Sequence, residues 1–328
     1  MKKLMNQPAD YVLESLEGFV AAHASLVRLN KTPLFVQRNK ITAGKVALIS
    51  GGGSGHEPAH VGFVGHGMLD AACPGEVFTS PVPAQIEAAI RACDSGGGAL
   101  LIVKNYQGDV MNFEIGAEMA GARVNTVIVN DDVSGDDPAY ARGMAGVLVV
   151  EKILGAAAEA GESLSLLKLL GDRLVRRMAT MALMLEPCTL PLAGVPTFEL
   201  AGDEVEFGVG IHGERGHAIT TMTSVNQLVA RLMAPILVKL APFKNPQVLL
   251  LVNGMGATPE PELYQVYREA DIVCRQQGIE VVRSLVGNYV TSIDAAGCSI
   301  TLVAMDEELL TYWDAGVCTP ALFWSEAP

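Results

Sequence analysis

Residues 46–58 read VALISGGGSGHEP, a short apolar run that leads directly into four glycines within five positions. The run at 46–49 is typical of a strand that is buried on both faces, as in a parallel sheet. Glycine allows positive φ angles and lets a ligand approach the backbone closely. Ligands of open α/β sheets bind at the carboxyl ends of the strands. The stretch therefore predicts an α/β fold with a ligand site at the glycine segment.

The same apolar pattern recurs on both sides of this segment, in alternation with helical patterns. We expect further strands at 99–103, 124–129, 205–211, 248–252, 280–285 and 298–303. We expect helices at 83–92, 112–120, 225–239 and 260–277, a short helical stretch from Pro58, and two amphipathic helices within 138–183. This order predicts two α/β domains, with mainly parallel or mixed sheets covered by helices.

A proline-rich stretch at 187–196 marks the predicted boundary between the two domains. It contains three prolines in ten residues, which suit neither a helix nor a central strand. We therefore expect an N-terminal domain at 1–186 that carries the ligand segments and a C-terminal domain at 187–328.

Composition narrows the class of function. The net charge is -13, from 23 Lys and Arg against 36 Asp and Glu. Such a surface repels nucleic acid and anionic membranes, so a small-molecule or protein partner is expected. The apolar runs are too short to span a bilayer, and the first residues lack the apolar core of a signal peptide. Six cysteines without CxxC spacing indicate reduced thiols, and together these features predict a cytoplasmic protein.

The glycine segment at 51–58 fits no nucleotide-binding template. It has no Gly-Lys-Ser/Thr, and His56 stands where the dinucleotide motif needs a glycine. A nucleotide is therefore not indicated here. Two interpretations stay open: a ligand site in which His56 beside Glu57 does chemistry, and a tight strand-to-helix turn that His56 caps.

Polar groups crowd into a second segment, KNYQGD at 104–109, directly after a predicted buried strand. Side chains this polar at a strand end favour function over packing. Asp109 could act as a general base and Lys104 could bind ligand oxygens. The alternative is that Asp109 caps the following helix.

A third segment, GVGIHGE at 208–214, places His212 between glycines at the end of a predicted strand. A small molecule could reach this ring, and neutral imidazole serves as a nucleophile or as an acid and base. A purely structural histidine is the alternative. His60, four residues from His56, could share a helical face with it. No carboxylate-rich set predicts a metal site, and the acidic stretch at 130–137 lacks EF-hand spacing, which favours a solvated loop and helix cap.

Taken together, these segments resemble the substrate-binding subunits of the dihydroxyacetone kinase family. The resemblance runs nearly end to end and also includes CPGEVFTSP at 73–81, NGMGATP at 253–259, YVTS at 289–292 and TPAL at 319–322. It implies that His212 adds to the carbonyl carbon of a short ketose and holds it as a hemiaminal. Such a bond selects ketones and aldehydes over glycerol, which has no carbonyl.

The resemblance also assigns roles to the other segments. His56 and Asp109 match the family's catalytic positions, where a base takes the proton of the attacking hydroxyl. The segment Gly53, Ser54 and Gly55, with Lys104, matches the groups that bind the oxygens of the substrate. Phosphoryl transfer needs that hydroxyl in line with the phosphorus, so positioning contributes as much as basicity.

Partners follow from the same resemblance. The sequence stops at Pro328 without the helical nucleotide-binding domain of the one-chain kinases, so we expect one subunit of a multi-part enzyme. This chain would bind no cofactor itself. ADP and magnesium would lie on a partner subunit that the phosphotransferase system recharges, and a homodimer is implied.

Three departures from the family pattern leave the substrate open. Arg215 replaces the usual proline, Ala141-Arg142 replaces paired arginines, and the stretch at 176–186 lacks glycine. A larger ketose such as a tetrulose is therefore an alternative substrate. A non-catalytic paralogue that binds dihydroxyacetone and acts with a transcriptional regulator is an alternative function, as is a general aldehyde-binding protein. Retention of both His56 and Asp109 favours the enzyme.

Overall fold

Two units make up the chain in the computed structural model, which describes residues 2–135, 137–244 and 246–325. The first unit comprises Lys2–Val129, Val147–Arg173 and the described residues from Glu308 onward. The second unit comprises the described residues of Asn130–Gly146 and Leu174–Glu307. Each unit contains one six-stranded sheet, which confirms an α/β fold with mixed sheets. Among the described residues, no helix has both the length and the apolar character of a membrane span.

Fourteen strands are assigned within the described residues. They are β1 (Val27–Lys31), β2 (Leu34–Arg38), β3 (Ala47–Ser54), β4 (Ala71–Val77), β5 (Ala99–Lys104), β6 (Val124–Val129), β7 (Met178–Glu186), β8 (Glu204–Phe207), β9 (Ala218–Thr221), β10 (Gln247–Gly254), β11 (Glu280–Gly287), β12 (Ala296–Met305), β13 (Val317–Cys318) and β14 (Phe323–Trp324). The α-helices are α1 (Tyr11–Ala22), α2 (Pro83–Cys93), α3 (Gln107–Ala120), α4 (Gly146–Glu159), α5 (Leu164–Val175), α6 (Val225–Leu240), α7 (Glu260–Gln276) and α8 (Glu307–Asp314). Short 3₁₀ helices occur at Pro8–Asp10, Val61–Phe63 and Pro138–Tyr140.

The sheet of the first unit has the order β1-β2-β4-β3-β5-β6. Strands β4, β3, β5 and β6 run parallel to one another, whereas β1 and β2 pair antiparallel at the opposite edge from β6. Every residue of β3 and β5 is buried, as the uninterrupted apolar runs predict. Because β3 and β5 are parallel neighbours, their carboxyl ends bring the glycine segment next to Lys104.

The glycine segment is itself part of the sheet. Strand β3 does not end at residue 49, as predicted, but continues to Ser54, with Gly51 opposite Cys73 in the parallel register. A Cβ on Gly51 would lie 2.4 Å from the Cys73 carbonyl oxygen, so only a glycine fits this register. Three glycines in a row are poor strand formers, which is why the sequence pattern indicated a loop.

The second unit has the sheet order β11-β10-β12-β7-β8-β9. Only β10 and β11 are parallel, and the other neighbours are antiparallel. The two predicted helices within 138–183 are present as α4 and α5, but residues 178–183 belong to β7 instead. Nine mostly apolar residues form this strand, which pairs along its length with β12.

The two units do not coincide with the predicted halves at 1–186 and 187–328. The pairing of β7 with β12 places residues before 187 in the second unit, and the chain from Glu308 returns to the first unit. The hydrophobic pattern of an individual segment does not indicate that the end of the chain belongs to the same unit as its beginning. Residue 136 of the acidic stretch lies outside the described residues.

Two glycines on helices of the first unit should respond to alanine with opposite signs. On α1, a Cβ at Gly18 would meet nothing within 4 Å, so Gly18→Ala should raise stability by about 0.5–1 kcal/mol through helix propensity. On α4, a Cβ at Gly155 would lie 2.4 Å from the Gly67 carbonyl oxygen, and Gly155→Ala should cost about 1–3 kcal/mol. Thermal unfolding measures both, and equal shifts would contradict the tight packing of α4.

Candidate functional site

Lys104 and Asp109 are placed by the junction of β5 with α3. Lys104 ends β5, and Asp109 is the third residue of α3, where the helix dipole favours a carboxylate. The ammonium Nζ lies 3.9 Å from Oδ2 of Asp109, and both side chains are less than 5% exposed. The N-cap position belongs to Tyr106, so the alternative that Asp109 caps the helix is wrong. Helix α3 also begins five residues before the predicted start at 112.

The glycine strand lies directly over this ion pair. A Cβ on Gly52 would come 2.4 Å from Nζ of Lys104 and 3.7 Å from Oδ2 of Asp109. A Cβ on Gly53 would collide with the backbone at Phe78 and Thr79, at 2.6–2.7 Å. At Gly53 the neighbouring backbone leaves no room for a side chain, whereas a side chain at Gly52 would displace the Lys104 ammonium.

Gly55, His56 and Ser54 form the end of this strand and the turn after it. Gly55 has a φ of +106°, which favours glycine. The His56 ring is fully buried and stacks on Phe78, with centroids 5.1 Å apart and planes 17° from parallel. The hydroxyl of Ser54 donates to the Gly75 carbonyl at 2.7 Å. The next helical residues are Val61–Phe63, with residue 60 at their N-cap, so the interpretation of His56 as a helix cap is wrong.

A chain of buried polar side chains extends from Lys104 into the interior. Nζ of Lys104 contacts Nε2 of His60 at 2.7 Å and the Gly51 carbonyl at 3.2 Å. Nδ1 of His60 lies 2.5 Å from Oε1 of Glu151 on α4. Burial and the Lys104 cation lower the pKa of His60, which Glu151 and Asp109 oppose.

Sequence reasoning did not find this network. The expected helical face shared by His56 and His60 does not form, because residues 57–60 are in turns. Glu151 lies 91 residues further along the chain from His60, and nothing in the local pattern connects them. Burial also lowers the pKa of Lys104, while Asp109 and Glu151 act to raise it.

In the second unit, His212 lies in the turn between β8 and β9. Its Nδ1 is 3.0 Å from Oε1 of Glu214, and its backbone N–H donates to Oε2 at 2.8 Å. A Cβ on Gly210 would lie 2.1 Å from Oε2 of Glu214, so the missing side chain makes room for the carboxylate. The His212 side chain is 16% exposed.

The Glu214 carboxylate fixes the tautomer of His212. Burial would raise the pKa of Glu214, but the hydrogen bond and the charge of His212 outweigh it and lower that pKa to about 2. An ionised carboxylate only accepts hydrogen bonds, so Nδ1 carries the proton and the lone pair lies on Nε2. This is the arrangement that a nucleophilic imidazole requires.

Arg142 holds the base of the loop that carries His212. Its Nη2 donates to the Gly208 carbonyl at 2.7 Å, and its Nε pairs with Oδ2 of Asp132 at 2.6 Å. Asp131 beside it accepts the backbone N–H groups of residues 144 and 146 at the start of α4, at 2.7 and 2.8 Å. Both aspartates are buried, so the expectation of a solvated acidic loop is wrong for them.

Metal-binding and disulfide chemistry have no support among the described residues. No group of three or more His, Cys, Asp or Glu side chains there is arranged to hold a metal ion. All six cysteines are free thiols, and five of them are buried. The burial of these five agrees with the prediction of core cysteines.

Comparison with known proteins identifies the family. A family model described as the Dak1 domain matches residues 17–321. The chain belongs to the Dak1 domain family. Among Dak1 relatives, it is 44% identical to the dihydroxyacetone-binding subunit DhaK of a PEP-dependent dihydroxyacetone kinase of Escherichia coli (strain K12), over 99% of this chain and 100% of that one. It is 45% identical to a DhaK subunit of a PTS-dependent kinase of Listeria innocua serovar 6a, over 94% and 95%.

Several solved structures resemble this Dak1 chain over almost its whole length. One of them is titled the dihydroxyacetone kinase operon co-activator Dha-DhaQ, with a TM-score of 0.91 and 34% identity over 95% of this chain and 98% of that one. The Dak1 fold is thus associated with both kinase subunits and a co-activator, and the choice between these functions depends on the site.

Loss of the two guanidinium contacts of Arg142, with the Gly208 carbonyl and with Asp132, should loosen the loop at 208–214. Arg142→Lys keeps the charge but cannot bond the Gly208 carbonyl and Asp132 with the same planar geometry. We expect amide hydrogen exchange across 208–214 to accelerate by about 10-fold or more, because one loop carbonyl loses its partner. Arg275→Lys, at an exposed pair with Asp271, is the control. Unchanged exchange in Arg142→Lys would show that other contacts hold the loop.

Proposed function

We propose that this chain is the dihydroxyacetone-binding subunit of a phosphotransferase-system-dependent dihydroxyacetone kinase. In this proposal it holds the ketose covalently on His212 and presents a terminal hydroxyl to a partner subunit that carries ADP and magnesium. The observation that carries the proposal is the pairing of His212 with an ionised Glu214, which places the lone pair on Nε2. The identity of 44% to a dihydroxyacetone-binding subunit over the whole chain supports the substrate class.

The covalent step is an addition in which no atom is lost. The lone pair of Nε2 forms a bond to the carbonyl carbon, the π pair moves to the carbonyl oxygen, and that oxygen takes up a proton. The ring then loses its Nδ1 proton to solvent. With a pKa of about 2, Glu214 is too weak a base to take this proton and instead stabilises the charge on the ring. The product is a hemiaminal with the full mass of the ketose.

Covalent capture explains how a small site can choose its substrate. A triose offers little surface for binding, and hydrogen bonds to hydroxyls would hold glycerol as well as the ketone. Addition to an sp² carbon accepts only the carbonyl compound. The same bond fixes the rest of the molecule, which lowers the entropic cost of orienting its hydroxyl for transfer.

The transfer step is assigned to groups of the first unit. Asp109, with His56, takes the proton as the hydroxyl oxygen forms its bond to phosphorus and the bond to the leaving nucleotide breaks. Lys104 and the backbone at Gly53–Gly55 bind oxygens of the ketose. Gly52 supports this role, because a side chain at this position would collide with the Lys104 ammonium.

A second candidate function is co-activation of transcription after binding of dihydroxyacetone. The structural match to a co-activator favours considering it. Such a protein needs a binding histidine and no base. This chain keeps both His56 and Asp109, each buried in the first unit, which favours the enzyme. A tetrulose as substrate in place of the triose is also compatible with covalent capture, and turnover assays with both ketoses discriminate between them. The family expectation of a homodimer is kept in this proposal.

Replacement of His212 should abolish the adduct. Wild-type protein incubated with dihydroxyacetone, without a reducing agent, should gain the full mass of the ketose in native mass spectrometry. His212→Ala should not gain it, because the variant lacks the imidazole that forms the proposed bond. His217→Ala, an exposed histidine nearby in the same connection, is the control and should keep the adduct. An adduct of equal occupancy in His212→Ala would disprove the covalent assignment.

Replacement of Asp109 should separate binding from transfer. Asp109→Asn keeps the shape of the side chain and should keep the adduct, but kcat should fall by about 100-fold or more with loss of the base. The measurement is turnover with an ADP-carrying partner subunit and its phosphoryl supply.

Asp203→Asn, at an exposed position before β8, is the matched control for that assay. Omission of the partner, with ATP and magnesium alone, should give no turnover. Wild-type rates in Asp109→Asn would exclude Asp109 as the base. Absence of phosphorylated product from any short ketose in the wild type would favour co-activation.

A further inference from the structure

Two buried side chains in the first unit have no role in the proposed reaction. His60 and Glu151 are 5% and 0% exposed, and they connect to Lys104 in a line. The contacts along this line are 2.7 Å from Nζ to Nε2 and 2.5 Å from Nδ1 to Oε1. Burying three ionisable groups together is costly unless each is paired, so this arrangement calls for an explanation.

The contacts fix the tautomer of His60. The hydroxyl of Ser50 donates to the Ile102 carbonyl at 2.8 Å, so it can only accept from Nδ1 of His60, which is 3.2 Å away. The Glu151 carboxylate on the other side of Nδ1 also accepts. Nδ1 therefore carries the proton. Nε2 is then an acceptor, and it takes a hydrogen bond from the Lys104 ammonium.

With this tautomer of His60, two of the three N–H groups of Lys104 have acceptors inside the protein. An ammonium has three N–H donors. One donates to Nε2 of His60 and a second to the Gly51 carbonyl. The third remains on the side of the glycine strand and of Asp109, whose Oδ2 is 3.9 Å from Nζ. Two acceptors, Nε2 of His60 and the Gly51 carbonyl, thus hold Lys104, and one donor is left over.

We propose that Glu151 and His60 are positioning residues for Lys104: they hold the ammonium so that its third proton bonds an oxygen of the bound ketose. This inference deepens the proposed function and rests on it. The series Lys104–His60–Glu151 does not serve as a proton path to solvent, because it ends at Glu151 in the interior. That carboxylate is fully buried, and its Oε2 has no hydrogen-bond partner among the described residues.

Three variants test the inference on the full chain, with dihydroxyacetone as the probe and calorimetric titration as the readout. Glu151→Gln keeps the shape and an acceptor but removes the charge. His60→Leu removes the acceptor for Lys104, whereas His60→Gln restores one. We expect affinity to fall by about 10-fold or more in the first two and to stay within about 3-fold of wild type in His60→Gln. Glu118→Gln, exposed on α3, is the control.

The pH dependence of affinity separates positioning from loss of structure. The charged groups that face Lys104 are Asp109 and Glu151, and both raise its pKa. Removing the Glu151 anion destabilises the ammonium, so that pKa should fall. As the pH is raised, Glu151→Gln should therefore lose its affinity for dihydroxyacetone at a lower pH than the wild type does. A merely loosened fold would weaken binding equally at all pH values.

The outcomes are distinguishable. Normal circular dichroism, weak binding in Glu151→Gln with the basic limb shifted to lower pH, and rescue by His60→Gln support the inference. Wild-type affinity and pH profile in Glu151→Gln would overturn it, as would His60→Gln binding as weakly as a folded His60→Leu. If His60→Leu fails to fold, the pH profile of Glu151→Gln decides. A wild-type protein that neither binds dihydroxyacetone nor forms the His212 adduct would overturn the proposed function itself.

Discussion

The contact between a bare strand backbone and a buried ammonium is the constraint on which the first unit depends. Nζ of Lys104 lies under Gly52, at a distance where even a methyl group would not fit, and it bonds the Gly51 carbonyl. Strand β3 can approach so closely because three consecutive residues have no side chains. Glycines lower the strand propensity of this segment. They also allow the Lys104 ammonium, a charged hydrogen-bond donor, to lie against the strand backbone.

Two histidines of the chain share one arrangement of the imidazole ring, but their surroundings differ. Both His60 and His212 have Nδ1 against a carboxylate, which puts the lone pair on Nε2. For His60, that lone pair accepts from Lys104 in a closed interior, so the ring serves as a structural link. His212 is partly exposed in a glycine-rich turn, and we propose that its lone pair adds to the ketose. In this proposal, the surroundings of each ring, rather than its pairing with a carboxylate, make His60 a structural link and His212 a nucleophile.

Sequence pattern predicted what depends on neighbours along the chain. The bounds of β6 at Val124–Val129 agree with the prediction, and α2 and α6 differ from it by one residue at the end. The position of Lys104 at a strand end, with Asp109 shortly after it, was also predictable, because polar residues interrupt an apolar run there. What depends on distant pairing was not predictable. Glu151 meets His60 only through the packing of α4, and β7 joins β12 across more than a hundred residues. The sequence pattern indicates a loop at the glycine strand, because pairing with β4, not strand propensity, makes these residues a strand.

The central claim is a covalent bond between His212 and the ketose, and carbon NMR observes that bond directly. Dihydroxyacetone labelled with ¹³C at the carbonyl would be added to protein whose histidines carry ¹⁵N. The account predicts a signal in the region of sp³ carbons bearing two heteroatoms, split by a one-bond coupling to a histidine nitrogen and missing in His212→Ala. A spectrum with only the free ketone and its uncoupled hydrate, at concentrations where binding is complete, would contradict the account.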